Sequence, residues 1–429
     1  MKMQKILLII CLILLLANHT ALAVQPVASS FTLANGIRVV SVYISGSSNV
    51  SIFSFFPMGL VYDGPGKAQW SHLLEHMIVR SPKPLSYTEA NAETLPDNIR
   101  LDFYGSVDNW QQGLSHHVCW IKGTPFTEQR LQEEKINVNS ECDVVAKRFA
   151  THKFAMAAWA QGYRHGRKHA SLKGDINKVT LNEIQEYRDA HLVVLDKVVI
   201  CIVGGIDVKA LKPIIMENFA TVKNNAKMQE PVELHPGNLK ITWDIEARHL
   251  MLTWPIPRFN EQDYPALMVA SKWLMMKFFA DSELKKSAPM VFSGADLITP
   301  EKNFFYISAS LKPGVSSAAV GKKLQQHLQA LSLDSANPLE AGMIGQQLSY
   351  QLSHLTDPAL LREQTPKSMT DAMIEANIGL QWGMHEFHYG SYRKALAKKL
   401  TTVTATQVQR VVQKYLTSDK CSSCTINPE

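Results

Sequence analysis

The sequence predicts a two-domain α+β chain whose two similar halves are each a mostly antiparallel sheet covered by helices. Three observations carry that prediction. The 429 residues are 46% hydrophobic and 19% charged, an ordinary globular composition over a length that suits two domains of roughly 200 residues. Short runs of β-branched and aromatic residues bounded by turn signals alternate with longer stretches of helical period. Finally, the order of elements in the first half recurs in the second. Between the halves, residues 223–239 hold Asn, Pro and Gly among mixed charges and read as the linker, which leaves domains at 24–222 and 240–429. No fixed-period repeat accompanies this order, so the duplication is a statement about architecture alone.

The first 23 residues stand apart from the fold. Lys2 and Lys5 precede an apolar run from Ile6 to Leu16, and Ala21-Leu22-Ala23 is a small-residue cleavage site, the pattern of a secretory signal peptide cut before Val24. The run falls short of the ~20 residues that a membrane-spanning helix needs. The expectation is an exported protein, periplasmic in a bacterium, with no membrane association after cleavage. A formal net charge of +6 is mild for this length and supplies no electrostatic footprint for nucleic acid. Collagen-like, mucin-like and coiled-coil compositions are absent.

In chain order, Phe31 to Tyr43 reads as strand around an Asn35-Gly36 turn, and Val50 to Pro57 as a second strand. A helix holding Trp70 to Met77 follows Gly66. Thr180 to His191 has helical period, Val198 to Val203 is a buried-looking strand ending at Gly204-Gly205, and Val208 to Phe219 is an amphipathic helix. Beyond the linker come strands at Lys240 to Ile245 and His249 to Trp254 and a helix from Asp263 to about Phe279. A strand at Phe304 to Leu311 and a helix from Val315 to about Leu331 follow.

The most informative residues are His72-Leu73-Leu74-Glu75-His76. Positions i and i+4 of a helix lie on one face, about 6 Å apart along the axis, so both imidazoles reach one tetrahedral metal. Glu75 lies near the same face without being a ligand. Zinc would bring the pKa of a water toward ~7, and Glu75 would take its proton and later deliver it to a leaving amine. Two histidines leave zinc one protein ligand short. Glu141 is the best candidate for the third, in a stretch where Glu134 and Glu141 stand seven residues apart and project from nearly one helical face. One carboxylate would ligate the metal and the other would hold a ligand or water beside it. Taken alone, such a pair also describes an ordinary solvated face.

These residues resemble the inverted-motif zinc peptidases of the pitrilysin and insulinase type, in the branch that includes the mitochondrial processing peptidases. The family pattern is His-x-x-Glu-His followed some tens of residues later by Glu-x6-Glu. Asp63 with Gly64-Pro65-Gly66 is similar to the family's approach to the motif, and Asn91-Ala92-Glu93-Thr94 to its Asn-Ala-x-Thr. The stretch from Gly174 and Ile176 through Asn182-Glu183 to Val203-Gly204-Gly205-Ile206-Asp207 resembles its helix, strand and glycine turn. The resemblance implies one zinc per chain held by His72, His76 and Glu141, Glu75 as base and Glu134 in support. It also implies that Asn91, Ala92 and Thr94 hold the backbone of a peptide or unfolded protein substrate by strand addition.

One departure matters. The family's active members use an Arg and a Tyr from the second half to bind the substrate carbonyl and the developing oxyanion. The corresponding stretch here, Leu284 to Ser293, has Lys285 and Phe292 instead. Lys lacks the planar fork and Phe has no hydroxyl. The expectation is a heterodimer whose related partner subunit supplies both groups, with a non-catalytic scaffold that retains its zinc site as the alternative.

Other features read as structural. His116 and His117 fall in a strand-like stretch that would point them to opposite faces. The basic run Arg164 to His169 reads as a solvated loop, and Trp273 to Met276 as helical core. Five cysteines follow the signal, and Cys421-Ser-Ser-Cys424, with no helix behind it, reads as a local disulfide or two tail thiols.

Overall fold

Strands buried on both faces need layers on both sides, and the two most apolar strands of the first half dictate its architecture. The computed structural model describes residues 26–81, 89–146, 152–171, 176–223, 232–333, 338–353 and 368–429. The expected signal peptide, Gly174 and the middle of the expected linker lie outside the described residues. The first half supplies β1 (Val27–Thr32), β2 (Arg38–Tyr43), β3 (Asn49–Phe56), α1 (Trp70–Arg80), β4 (Ala90–Thr94) and β5 (Ile99–Ser106). It continues with α2 (Trp110–Lys122), α3 (Glu128–Ala146), α4 (His152–Tyr163), α5 (Leu181–His191), β6 (Val199–Gly204) and α6 (Val208–Phe219). The second half supplies β7 (Asn238–Trp243), β8 (His249–Ile256), α7 (Tyr264–Ala280), α8 (Ser282–Ser287), β9 (Met290–Ile298) and β10 (Asn303–Ser310). After these come α9 (Ser317–Leu333), α10 (Pro338–Ser353), α11 (Asp371–Tyr389), α12 (Arg393–Leu400), α13 (Ala405–Tyr415) and β11 (Ser422–Pro428). Among the described residues, no helix is long and apolar enough to cross a membrane.

The strands form two sheets, ordered β1-β2-β6-β3-β5-β4 and β7-β11-β8-β10-β9. Apart from the extra edge strand β1 the orders correspond one to one. In each sheet the last strand of the half inserts beside the first with a parallel pairing, β2 with β6 and β7 with β11, and every other pairing is antiparallel. The α+β class with two similar, mostly antiparallel sheets holds, and the repeated element order reflects a repeated topology.

The halves exchange helices. Helix α4 of the first half packs on the second sheet, where the Trp159 and Tyr163 rings meet Phe304 of β10 at centroid distances of 5.2 and 5.4 Å. Helix α11 of the second half covers the outer face of β3 and β6, closing a core of Val40, Phe53, Phe55, Val199, Cys201, Val203, Ile374 and Ile378. Two glycines permit that approach. A Cβ at Gly379 would lie 2.3 Å from Val203 Cγ1, and one at Gly383 would lie 2.3 Å from Phe55 Cε2. In an exposed helix Gly→Ala gains about 1 kcal/mol. Here Gly379→Ala is expected to reverse that sign and cost about 1–3 kcal/mol by overpacking, read as a lower midpoint in urea unfolding.

Polar links also join the halves. His388 of α11 places Nε2 2.7 Å from the Asp97 carboxylate. Burial opposes a charge on His388, but Asp97 prevails and holds its pKa above the ordinary value. Arg164, at the end of α4, forms a two-point pair with Glu301 at 2.8 and 3.0 Å.

Three sequence expectations are corrected. His116 and His117 lie on α2, a helix whose buried positions Leu114, His117, Trp120 and Ile121 recur at helical spacing. His117 faces inward, with Nδ1 2.6 Å from Ser54 Oγ, and burial, aided by His116, lowers its pKa to about 3. The Arg164 to His169 run is not simply a solvated loop, because Arg164 is buried. Of the two readings of Cys421 and Cys424 the pair of unpaired thiols holds, but they do not sit on a tail outside the fold: Cys424 is buried in β11, between β7 and β8. Trp273 and Leu274 are core, whereas Met276 is half exposed.

Candidate metal centre

Helix α1 is entered by a turn organised around one carboxylate. Asp63 is buried and accepts hydrogen bonds from the Ser71 amide at 3.1 Å, the Ser71 hydroxyl at 2.6 Å and the Tyr187 hydroxyl at 2.9 Å. The Gln69 amide also donates to it. These donors favour the ionised form, but burial outweighs them and pushes Asp63 up to about 7. An acceptor held over orphan N–H groups is what a helix start requires, and it fixes where His72 and His76 point.

Helix α3 packs against α1 and presents Glu134, Asn137 and Glu141 on one face, three and seven residues apart. His72 Nε2 lies 3.3 Å from Glu141 Oε2, and His76 Nε2 lies 3.6 Å from Glu141 Oε1. One donor atom from each of His72, His76 and Glu141 lies within 4.8 Å of the others. Each imidazole is oriented through its other nitrogen. Nδ1 of His76 is 3.0 Å from Glu134 Oε2, and Nδ1 of His72 is 3.2 Å from Gln69 Oε1. Glu134 is almost fully buried and is itself held by Asn137 at 2.9 Å and Arg130 at 3.4 Å.

The electrostatics are those of a cation site. Burial would lower the His76 pKa, but Glu134 and Glu141 together push it up to about 10. Hydrogen bonds from His72 and His76 hold Glu141 well below the usual carboxylate range. Two imidazoles with Nε2 turned inward and one carboxylate satisfy the nitrogen and oxygen preferences of zinc, with room for a fourth ligand. A metal entering would displace protons, so its binding should release them.

Glu75 is not part of the three-donor cluster. It is buried, and Thr94 of β4 donates a 2.6 Å hydrogen bond to its Oε2. Asn91 and Ala92 line a cleft of about 330 Å³ together with Glu75, His76, Ser140 and Glu141. Glu93 is taken up by Arg100 at 3.1 Å and Lys153 at 3.4 Å. The three residues expected to hold substrate therefore divide: Asn91 and Ala92 face the cleft and Thr94 supports Glu75, while Glu93 between them anchors the strand. Strand β4 is the terminal strand of its sheet, so its outer edge has no strand partner among the described residues.

The stretch where the resemblance implies an Arg and a Tyr also comes near. Phe292 of β9 packs on His152, with ring centroids 4.7 Å apart, at the start of α4. Two residues along that helix, Phe154 lies 6.4 Å from the His72 ring. Lys285 is exposed on α8, with Nζ 5.9 Å from the Phe279 ring centroid. The site residues that sequence reading missed are Gln69, whose role depends on backbone conformation, and Asn137, which carries no motif.

Fold and site together define a two-domain, peptidase-like class with an inverted His-x-x-Glu-His helix. Residues 178–338 match the model described as "Peptidase M16 inactive domain", a span C-terminal to every residue of the metal cluster. The zinc protease PqqE of Helicobacter pylori (strain ATCC 700392 / 26695) is 23% identical over 362 residues, covering 75% of this chain and 78% of the relative. The solved structure of a protease from Helicobacter pylori shares the fold with a TM-score of 0.67 at 17% identity, covering 94% of this chain and 100% of that one. A peptidase M16 inactive domain from Pseudomonas fluorescens gives a TM-score of 0.67 at 16% identity, covering 94% and 98%. These findings support one assignment: the chain is pitrilysin/insulinase-like, with the M16 peptidase fold.

Proposed function

We propose that this chain is an exported, zinc-dependent endopeptidase that cleaves peptides or unfolded segments, acting as the zinc-bearing subunit of a heterodimer. The observation that carries this reading is the convergence of His72, His76 and Glu141 beside the buried, Thr94-bonded carboxylate of Glu75. The two imidazoles and Glu141 would hold one zinc per chain, and Glu134 keeps His76 in the tautomer that offers Nε2. When bound, zinc supplies Lewis acidity to the scissile carbonyl and to a nucleophilic water. Glu75 takes the proton from that water and returns it to the leaving amine. The outer edge of β4 at Asn91 and Ala92, which has no strand partner among the described residues, takes an extended substrate as an added strand, which aligns its backbone with Glu75. The partner supplies the Arg and Tyr that Lys285 and Phe292 replace.

Because Phe292 has no hydroxyl and is packed on His152, a scaffold subunit with a retained zinc site is the second reading. Metal analysis and cleavage assays on the assembly copurified from its native source separate the two. The enzyme reading expects one zinc per chain and cleavage of an unstructured peptide that stops on chelation and returns with zinc. Bound zinc with no cleavage in the complete assembly favours the scaffold, and a chain that binds no zinc overturns both.

A further inference from the structure

We propose that Gln69 is a positioning residue of the metal centre, held in a strained backbone conformation so that its side chain can fix the imidazole of His72. The inference rests on the zinc reading above and deepens it. Among the described residues, Gln69 alone of the non-glycines has a positive φ, 68° with ψ 10°. A Cβ disfavours this left-handed region, and glycine would enter it without penalty. Gly64 and Gly66, in the turn that leads into α1, show that glycine is available to this approach, Gly66 with positive φ, yet position 69 carries a long amide.

The side chain does not repay the strain by capping, since Gln69 stands at the N-cap of α1 and makes no side-chain cap hydrogen bond. It is 3% exposed, with Oε1 3.2 Å from His72 Nδ1. An amide oxygen only accepts, so Nδ1 is the donor of this pair, which leaves Nε2, 3.3 Å from Glu141 Oε2, as the atom that a metal shared with Glu141 would take in place of a proton. The main chain of Gln69 is tied on both sides, its N–H to Asp63 and its carbonyl to the Leu73 amide at 2.9 Å. The amide is therefore aimed from a rigid base. Each histidine thus has its own orienting acceptor, a carboxylate for His76 and a neutral amide for His72.

Gln69→Gly and Gln69→Glu test the proposal in the full chain. Zinc affinity is read against a competing chelator, cobalt(II) is used as a spectroscopic probe, and thermal unfolding is followed with chelator present. With Gln69→Gly the unfolding midpoint without metal should stay within a few degrees of wild type, as relief of the backbone offsets loss of the side chain. Zinc affinity should fall about 10- to 100-fold, and the cobalt absorption bands should shift as His72 loosens. Gln69→Glu, which restores an acceptor, should recover affinity to within a few-fold of wild type. Unchanged affinity and cobalt spectrum in Gln69→Gly would overturn the positioning role and leave the zinc reading standing. Loss of affinity that tracks a lower midpoint and is not rescued by Gln69→Glu would also overturn it. A wild-type chain that binds neither metal would remove the zinc reading itself, and this inference with it.

Discussion

Substituting Glu75→Gln should leave the fold and the zinc content intact and lower kcat for peptide cleavage by about 10³-fold, within the 10²–10⁴ range that a positioned base contributes. The exchange is isosteric. The Thr94 hydroxyl, 2.6 Å from Oε2, can donate to an amide oxygen as well as to a carboxylate, so the side chain should stay where it is. What is lost is a proton acceptor: an amide cannot take a proton from water or return one to an amine. Glu75 is not in the three-donor cluster of His72, His76 and Glu141, so metal affinity should change little. A loss in kcat with KM unchanged identifies an interaction made only in the transition state, and 10³-fold corresponds to about 4 kcal/mol. Metal content and steady-state kinetics of the copurified assembly check both halves of the expectation. Cleavage within tenfold of wild type would mean that another group is the base.

The separation between Glu75 and the ligands is legible in the sequence because helical spacing is a local property. His72 and His76 at i and i+4, and Glu134 and Glu141 at i and i+7, need only their own helices to define a face. The alternation of strands and helices was legible for the same reason. The illegible features depend on contacts between residues far apart in the chain. His388 reaches Asp97 across 291 positions and Arg164 reaches Glu301 across 137, and no periodicity announces such partners. The stretch around His116 and His117 misled because Val118, Cys119, Trp120 and Ile121 have strand-like composition, while the packing of Leu114, His117 and Trp120 selects helix. Tertiary packing overrode local preference there. At Gln69 the reason differs: its φ follows from the claims of Asp63 and Leu73 on its backbone, and neither claim is visible in residue type. Cys421 and Cys424 looked like a tail because β11 closes the second sheet from a distant point in the chain, between β7 and β8.

Arg164→Ala should destabilise the chain by about 3 kcal/mol, the low end of the range for breaking a buried pair. The guanidinium is 3% exposed and donates to Glu301 Oε1 at 2.8 Å, to Glu301 Oε2 at 3.0 Å and, in addition, to the Val61 carbonyl. Truncation strands a carboxylate and a carbonyl together. The low end is expected because the Glu301 side chain keeps 17% exposure and so retains some water. Lys should not rescue, since a point charge cannot reproduce two parallel donors and a third at a fixed angle. The pH dependence carries a definite sign. Burial raises Glu301, but the Arg164 hydrogen bond and charge outweigh it and hold the carboxyl below its ordinary range. A depressed carboxyl contributes stability that is fully present above its unfolded pKa and is lost as pH falls through the folded value. The stability gap between wild type and Arg164→Ala should therefore be widest near neutral pH and narrow below about pH 4.3, the unfolded Glu value. Urea unfolding at a series of pH values measures it, and a gap that stayed constant through that range would assign the loss to packing of the Arg164 stem instead of to its pairing with Glu301. Val61 stands two residues before Asp63, the carboxylate that caps the metal helix, so this one guanidinium ties the β9–β10 turn of the second half to the entry of α1 in the first.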